Sequence, residues 1–376
     1  MVMLETPQLE ACSLPDAEDV IVKRSRLRWH RHWRFVRRRG KFIAGLCIIC
    51  LFYFTAIFAD FLAPYDYRTQ SRREPLAPST AVRFRDAGGN IHPRPFIYER
   101  RVVNAFERRY VESTERVFPI CFFARGYSYR LFGLFKTDVH LFGVSGVGRI
   151  DVPRVNLLGT DASGRDRLSR LIVSTRFSLI VGPAGMLLAS ALGIFLGCIS
   201  GYVGRRTDAL LMRAADTMIA LPMLVLILAA RAAFPLALPP ARAVLLLVTI
   251  FTVVGWAEMS RLARGQVLAL RRREFVLAAV GLGLSPARIL FRHILPNASR
   301  PLVVQASLML PTFLLAETAL SFLGVGLQEP EASWGNMLAA AGDINLLRES
   351  GFVLLTPAIA LLLFVLGARL LSDGSN

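Results

Sequence analysis

Lysine is almost absent from this 376-residue chain: only Lys23, Lys41 and Lys136 occur. None of the three has the required glycines before it, so there is no Gly-x-x-x-x-Gly-Lys-Ser/Thr loop to cradle a nucleotide phosphate. The five histidines, His30, His32, His92, His140 and His293, are scattered, and no His-Glu-x-x-His pair exists to hold zinc. Gly281 and Gly283 lack the βαβ setting of a dinucleotide fingerprint. Cysteine is scarce too. Of Cys12, Cys47, Cys50, Cys121 and Cys198, three fall inside hydrophobic spans and only Cys121 could face an oxidising space. No disulfide framework is implied. These absences leave a chain with no catalytic residue, cofactor site or metal site of its own.

Apolar residues and arginine are what it does have. Hydrophobic residues make up 54% of the chain and the formal net charge is +18. A strongly basic balance suggests nucleic acid or an anionic membrane surface. Here the apolar fraction decides for the membrane, because soluble nucleic-acid binders do not carry repeated runs near the ~20 residues that cross a bilayer. Six such spans are expected: Phe42–Leu62, Ser178–Ile199, Leu210–Ala230, Ala243–Met259, Leu302–Leu323 and Phe352–Leu371.

Charge sets the orientation. "KRSRLRWHRHWRFVRRRGK" places ten Lys/Arg between Lys23 and Lys41, just before the first span. Such a run is retained on the cytoplasmic side, and it is too long and too far from the start for a cleavable signal peptide. Alternation then puts Gly201–Ala209 and Ser260–Pro301 inside. The second of these carries eight arginines against Glu274 alone. The outside loop after span five is acidic, with Glu329, Glu331, Asp343 and Glu349. Both termini are expected in the cytoplasm.

Residues 63–177 are too long for a plain connector. Turn signals at Gly88–Gly89–Asn90 and β-rich runs such as Arg116–Phe123 suggest a small extracytoplasmic subdomain with some strand. The first twenty or so residues are acidic, unpatterned and expected to be disordered.

"VLAAVGLGLSPARILFRHILPN", Val276–Asn297, reads as two short helices around a break. Gly281 and Gly283 offer helix ends, and Ser285 and Pro286 supply an N-cap and a first-turn proline. One reading is a basic linker lying on anionic lipid. The other is docking into a groove on a soluble partner, using small residues (Ala278, Ala279, Gly283) and a second apolar face (Ile289, Leu290, Ile294).

This stretch resembles the cytoplasmic coupling loop of ABC-transporter permeases, whose pattern is Glu-Ala-Ala, three residues, Gly, then Leu-Pro. Ala278, Ala279, Gly283, Leu295 and Pro296 match. Leu277 stands at the glutamate position, and Glu274 lies one turn earlier on the same helix face. "LLGTDASGRDRLSRLIVSTRFSL" (Leu157–Leu179) and "ETALSFLGVGLQEPEASWGNML" (Glu317–Leu338) resemble stretches typical of the dipeptide/oligopeptide/nickel branch.

Local physics adds modest expectations. Thr160 or Asp161 can cap a short interfacial helix along which Arg165, Asp166 and Arg170 pair. Arg213 and Asp216 form a structural pair. Glu317 faces either an interior water path at the pore or subunit interface, or headgroup water.

The resemblance implies an all-α polytopic membrane protein with six transmembrane helices and a mixed extracytoplasmic insertion after the first. Its parts are a basic segment 1–41, a first span 42–62, the insertion and elbow 63–177, a permease core 178–371 containing the coupling loop 260–301, and a tail 372–376. It further implies a half-pore in the bacterial inner membrane with four kinds of partner: a second permease, two cytoplasmic ATPases that bind the ATP, an extracytoplasmic solute-binding protein, and lipid. An ion-coupled secondary transporter is the rival, and it would place buried charges within several spans. A membrane-anchored enzyme with its chemistry in 63–177 is a third reading, without a nucleophile or metal constellation to support it. Which solute is carried stays open.

Overall fold

The computed structural model describes residues 40–104, 109–131, 134–144, 152–342 and 352–375. The acidic start and nearly all of the basic run ending at Lys41 lie outside the described residues, as do Asp343 and Glu349.

Helix α1 (Gly40–Ile57) runs into the short α2 (Ala59–Leu62). One face of α1 packs inward, where Phe52 meets Trp334 edge-on at 5.9 Å and Phe364 at 5.4 Å. Its other face leaves Leu51, Phe54 and Ile57 exposed.

Four antiparallel strands follow in the order β1-β2-β3-β4: Arg83–Arg85, Ile91–Asn104, Arg109–Leu131 and Phe135–Val144. The turn between β1 and β2 uses the Gly88–Gly89–Asn90 signal. Gly89 sits at φ +88°, and the Asp86 N–H donates to the Asn90 carbonyl at 3.0 Å. The β-rich Arg116–Phe123 falls within β3. The chain is therefore not all-α. The sheet leans on the end of α2, where His140 Nδ1 lies 3.0 Å from the Asp60 carbonyl and Phe61 lies 6.2 Å from Phe123.

The helical body begins at α3 (Arg167–Val203), a single 37-residue helix. Among the described residues no separate elbow helix precedes the second span: Asp166 caps α3 directly, and the span continues from it. Helix α6 (Pro240–Leu270) packs closely along α3 because α3 turns glycines toward it. A Cβ on Gly193 would meet the Trp256 carbonyl oxygen at 2.6 Å, and one on Gly201 would meet Val267 Cβ at 2.9 Å. Small residues at four-residue spacing let two apolar helices approach backbone to backbone. Helix α9 (Leu295–Phe322) closes the core, stacking Phe313 on Phe251 of α6 at 5.0 Å.

Among the described residues, four helices are long and apolar enough to cross a membrane: Gly40–Ile57, Arg167–Val203, Pro240–Leu270 and Pro286–Phe322. The third expected span is not one straight helix. It is α4 (Arg205–Ala220) and α5 (Met223–Ala232), bent by 92°. Pro222 lacks an N–H and disfavours helix at the residue before it, and Leu221 is accordingly extended at φ −97°, ψ 139°. Counting that pair as one gives up to five spans. The last apolar helix, α11 (Thr356–Ser375), has an apolar stretch shorter than a full span. Between α9 and α11 lies the short α10 (Trp334–Ala339), whose capping box pairs Ser333 with Asn336.

Candidate functional site

The expected coupling segment forms a compact unit at one end of the bundle. Three residues separate helix α7 (Glu274–Gly281) from the end of α6, and Arg271 Nη1 ties the turn between them to the Gly201 carbonyl of α3 at 3.2 Å. The helix closes in a Schellman motif: the Gly283 N–H donates to the Val280 carbonyl at 2.9 Å, and the Leu284 N–H to that of Ala279 at 3.2 Å. Gly283 carries the left-handed turn that this closure needs, at φ +72°.

Helix α8 (Pro286–Ile289) then begins with Pro286 in its first turn. Ser285 occupies the N-cap position, but its hydroxyl makes no capping hydrogen bond. A wide π turn over Leu290–Ile294 joins α8 to α9. Pro296 has no N–H to return to the Arg292 carbonyl, so the ladder loosens just ahead of it.

The segment's faces divide differently from the expectation. Val276, Ala279, Ile289 and Ile294 are buried together against Cys198 of α3 and Val267 of α6. Ala279 and the expected second apolar face therefore anchor the segment to its own chain. Leu295 is partly buried on the same cluster. The outward face holds Phe275, Leu277, Val280, Leu282 and Phe291, with Leu277 57% and Leu282 80% exposed. Ala278, Gly283, Ser285, Pro286 and Pro296 are also exposed. The outward Phe275, Val280, Leu282 and Phe291 were not singled out from sequence. The signal was present, because a helix apolar all round needs a partner on both sides.

Behind this unit, Asp208 at the start of α4 receives a forked hydrogen bond from Arg264 of α6, with Nη2 to Oδ2 at 2.7 Å, and a further one from the Ser200 hydroxyl of α3. The expected Arg213–Asp216 pair does not form. Asp216 lies instead 3.7 Å from Arg261, across the α4–α6 contact.

At the far end, a knot of charge joins the two branch-typical stretches. Arg165 Nε donates to Asp161 Oδ2 at 2.7 Å and its Nη1 to Glu329, while Arg170 Nη2 reaches Glu329 Oε1 at 2.9 Å. Tyr67 donates to Glu331 at 2.6 Å beside them. Asp161 closes a loop, accepting from the Ser163 and Arg165 N–H groups at 2.9 Å, and does not cap a helix. Asp166 does not pair with arginine. Its Oδ2 accepts from the Ser169 N–H at 2.8 Å and hydroxyl at 2.7 Å. Burial pushes its carboxyl up to about 6, against the pull of those two hydrogen bonds.

Glu317 is wholly enclosed within this one chain. Its carboxylate accepts from Ser178 of α3 at 3.2 Å and from Ser321 at 2.9 Å, and the side chain meets neither a lumen nor the surface.

Similarity to known proteins covers much of this frame. Residues 193–375 match the family described as binding-protein-dependent transport system inner membrane component, and residues 28–78 match the N-terminal TM domain of oligopeptide transport permease C. The sheet lies between the two matches. A putative peptide permease protein of Brucella suis is 39% identical over 216 residues, which is 57% of this chain and 70% of that protein. The oligopeptide transport system permease protein OppC of Bacillus subtilis is 37% identical over 57% of this chain and 68% of its own length. A probable D,D-dipeptide transport system permease protein of Escherichia coli is 38% identical over 57% and 70%. A membrane body of apolar helices, a resemblance read from separate motifs and these matches agree: the chain belongs to the inner-membrane permeases of binding-protein-dependent ABC importers, as a C-type pore subunit of the oligopeptide/dipeptide branch and not an enzyme.

Proposed function

We propose that this subunit forms half of an import pore for peptides or similar small solutes, and that residues 260–301 are the surface through which cytoplasmic ATPases move it. Family membership implies ATPase partners, a second permease and a solute-binding protein in general. The relatives named as peptide permeases support a peptide as the solute. Six crossings result if the bent α4–α5 pair is the third and α11 the sixth. The N-terminal side of α1, the coupling segment and the end of α11 then lie in the cytoplasm, and the sheet and the Glu329 knot lie outside, near the binding protein.

One observation carries the coupling role. The segment is anchored on its inner face to the ends of α3 and α6, yet keeps Phe275, Leu277, Val280 and Leu282 outward. An apolar edge on a rigid, short helix pair suits insertion into a groove of a soluble partner. Leu277, Ala278, Gly283, Ser285 and Pro286 supply its contact surface. Ala279 and Leu295 hold it to the bundle, and the exposed Pro296 follows the π turn that leads into α9. Nucleotide-driven closure of the ATPase dimer, which binds all the ATP, moves this unit as one body with α3 and α6 and biases a two-state pore.

A photoreactive residue substituted for Leu282 in the assembled transporter tests the placement. The expected adduct is with an ATPase subunit. An adduct with lipid alone would assign the segment to the membrane surface.

A further inference from the structure

Glu258 of α6, Gln305 of α9 and Arg369 of α11 line one open cleft of about 540 Å³. Gln305 Nε2 donates to Glu258 Oε2 at 3.3 Å, and both Glu258 and Arg369 are exposed in this subunit. These are charges inside apolar helices. Ionisable groups within or at the end of an apolar span usually face an interior or a water path. Glu258 lies 18 residues from the Pro240 end of α6 and Gln305 lies 17 from the Phe322 end of α9. At 1.5 Å per residue both stand roughly 26 Å from those ends, near the cytoplasmic edge of the expected spans Ala243–Met259 and Leu302–Leu323.

A second observation points to the same cleft. Its wall includes Leu221 and Pro222, where α4 and α5 break by 92°. A broken helix leaves carbonyls without N–H partners, and at membrane depth that is tolerated where the break borders a cavity. The rest of the lining includes Met218 and Met309, whose flexible thioethers adapt to varied shapes. Charges of both signs lining one cleft, between adaptable apolar walls, suit a solute with constant charged ends and a variable middle.

We infer that this cleft is a polar station on the subunit's share of the translocation wall, where Glu258, held by Gln305, takes the ammonium end of a passing zwitterion and Arg369 takes its anionic end. The inference rests on the peptide-import reading above.

The test uses the complete transporter, with its ATPases, sister permease and binding protein, in proteoliposomes supplied with labelled alanyl-alanine. Glu258→Gln should assemble and lower uptake about tenfold, the weight of one charge-assisted hydrogen bond. Glu258→Asp, which keeps the charge, should restore most of it. Uptake by Glu258→Gln within twofold of the parent overturns the station, as does its failure to assemble, which would make Glu258 a structural group. A parent that moves no peptide overturns the import reading and the station with it.

Discussion

Arg264 of α6 forks onto both carboxylate oxygens of Asp208 of α4, and the Ser200 hydroxyl of α3 shares the same carboxylate. Three helices meet at that one group, a single helical turn from Val267, on which the coupling segment is seated. Asp208→Asn keeps the shape but loses the charge that makes the fork strong. The pair is partly exposed, so the expected cost is about 1 kcal/mol. It should appear as a fall of roughly 1–2 °C in the unfolding midpoint of the purified protein. An unchanged midpoint would mean that the fork contributes nothing to holding α4 on α6.

Topology is open to a direct assay. A reporter that works only after export should be active when inserted after Val144, at the end of β4. A reporter that works only in the cytoplasm should be active near Arg273, at the entry to α7. The opposite pattern at Arg273 would remove the coupling segment from the ATPases.

Glu317 gives a sharper expectation now that its surroundings are known. Gln has the same shape; its one oxygen accepts from one serine and its NH2 donates to the hydroxyl oxygen of the other, so Glu317→Gln should assemble and transport within about twofold of the parent. Glu317→Ala removes the acceptor from two buried hydroxyls and leaves a void. A loss of about 1–3 kcal/mol in stability is expected, seen as less protein in the membrane. Strongly reduced uptake by Glu317→Gln at equal membrane levels would instead put the carboxylate's charge to work in transport.

Local demands of the backbone were legible in the sequence; long-range partners were not. Gly283 before Ser285–Pro286 signals a helix end because a left-handed residue and a fresh start are both local needs, and the Schellman turn forms there. Pro222 carried an equally local signal, but the apolar run across Leu210–Ala230 outweighed it and hid the 92° break. Asp216 was matched with Arg213 by helical spacing, whereas Arg261 on another helix holds it. Arg165 and Glu329 are 164 residues apart, and no periodicity relates them. The inward turn of Ala279 was hidden for a different reason. Helix α7 is apolar on every side, so spacing could not say which side the bundle takes. Glu258 and Arg369 escaped notice because a hydropathy window averages away a lone charge. Family membership removes the ion-coupled rival, although those two residues are the kind of feature that it predicted.

The central claim is that the segment around Gly283 transmits motion from the ATPases to the pore, and one substitution tests it most directly. Gly283 sits at φ +72° and a Cβ there would meet no atom within 4 Å, so the strain of Gly283→Val lies in holding a β-branched residue in a left-handed turn. That costs roughly 1–2 kcal/mol and distorts the end of α7 beside the exposed Leu282. The measurement is substrate-stimulated ATP hydrolysis by the reconstituted transporter, with ATPase co-purification read alongside. Membrane insertion and pairing with the sister permease should persist, while ATPase recovery and stimulated hydrolysis both fall. Normal recovery and normal stimulation in Gly283→Val would contradict the account and place the coupling surface elsewhere.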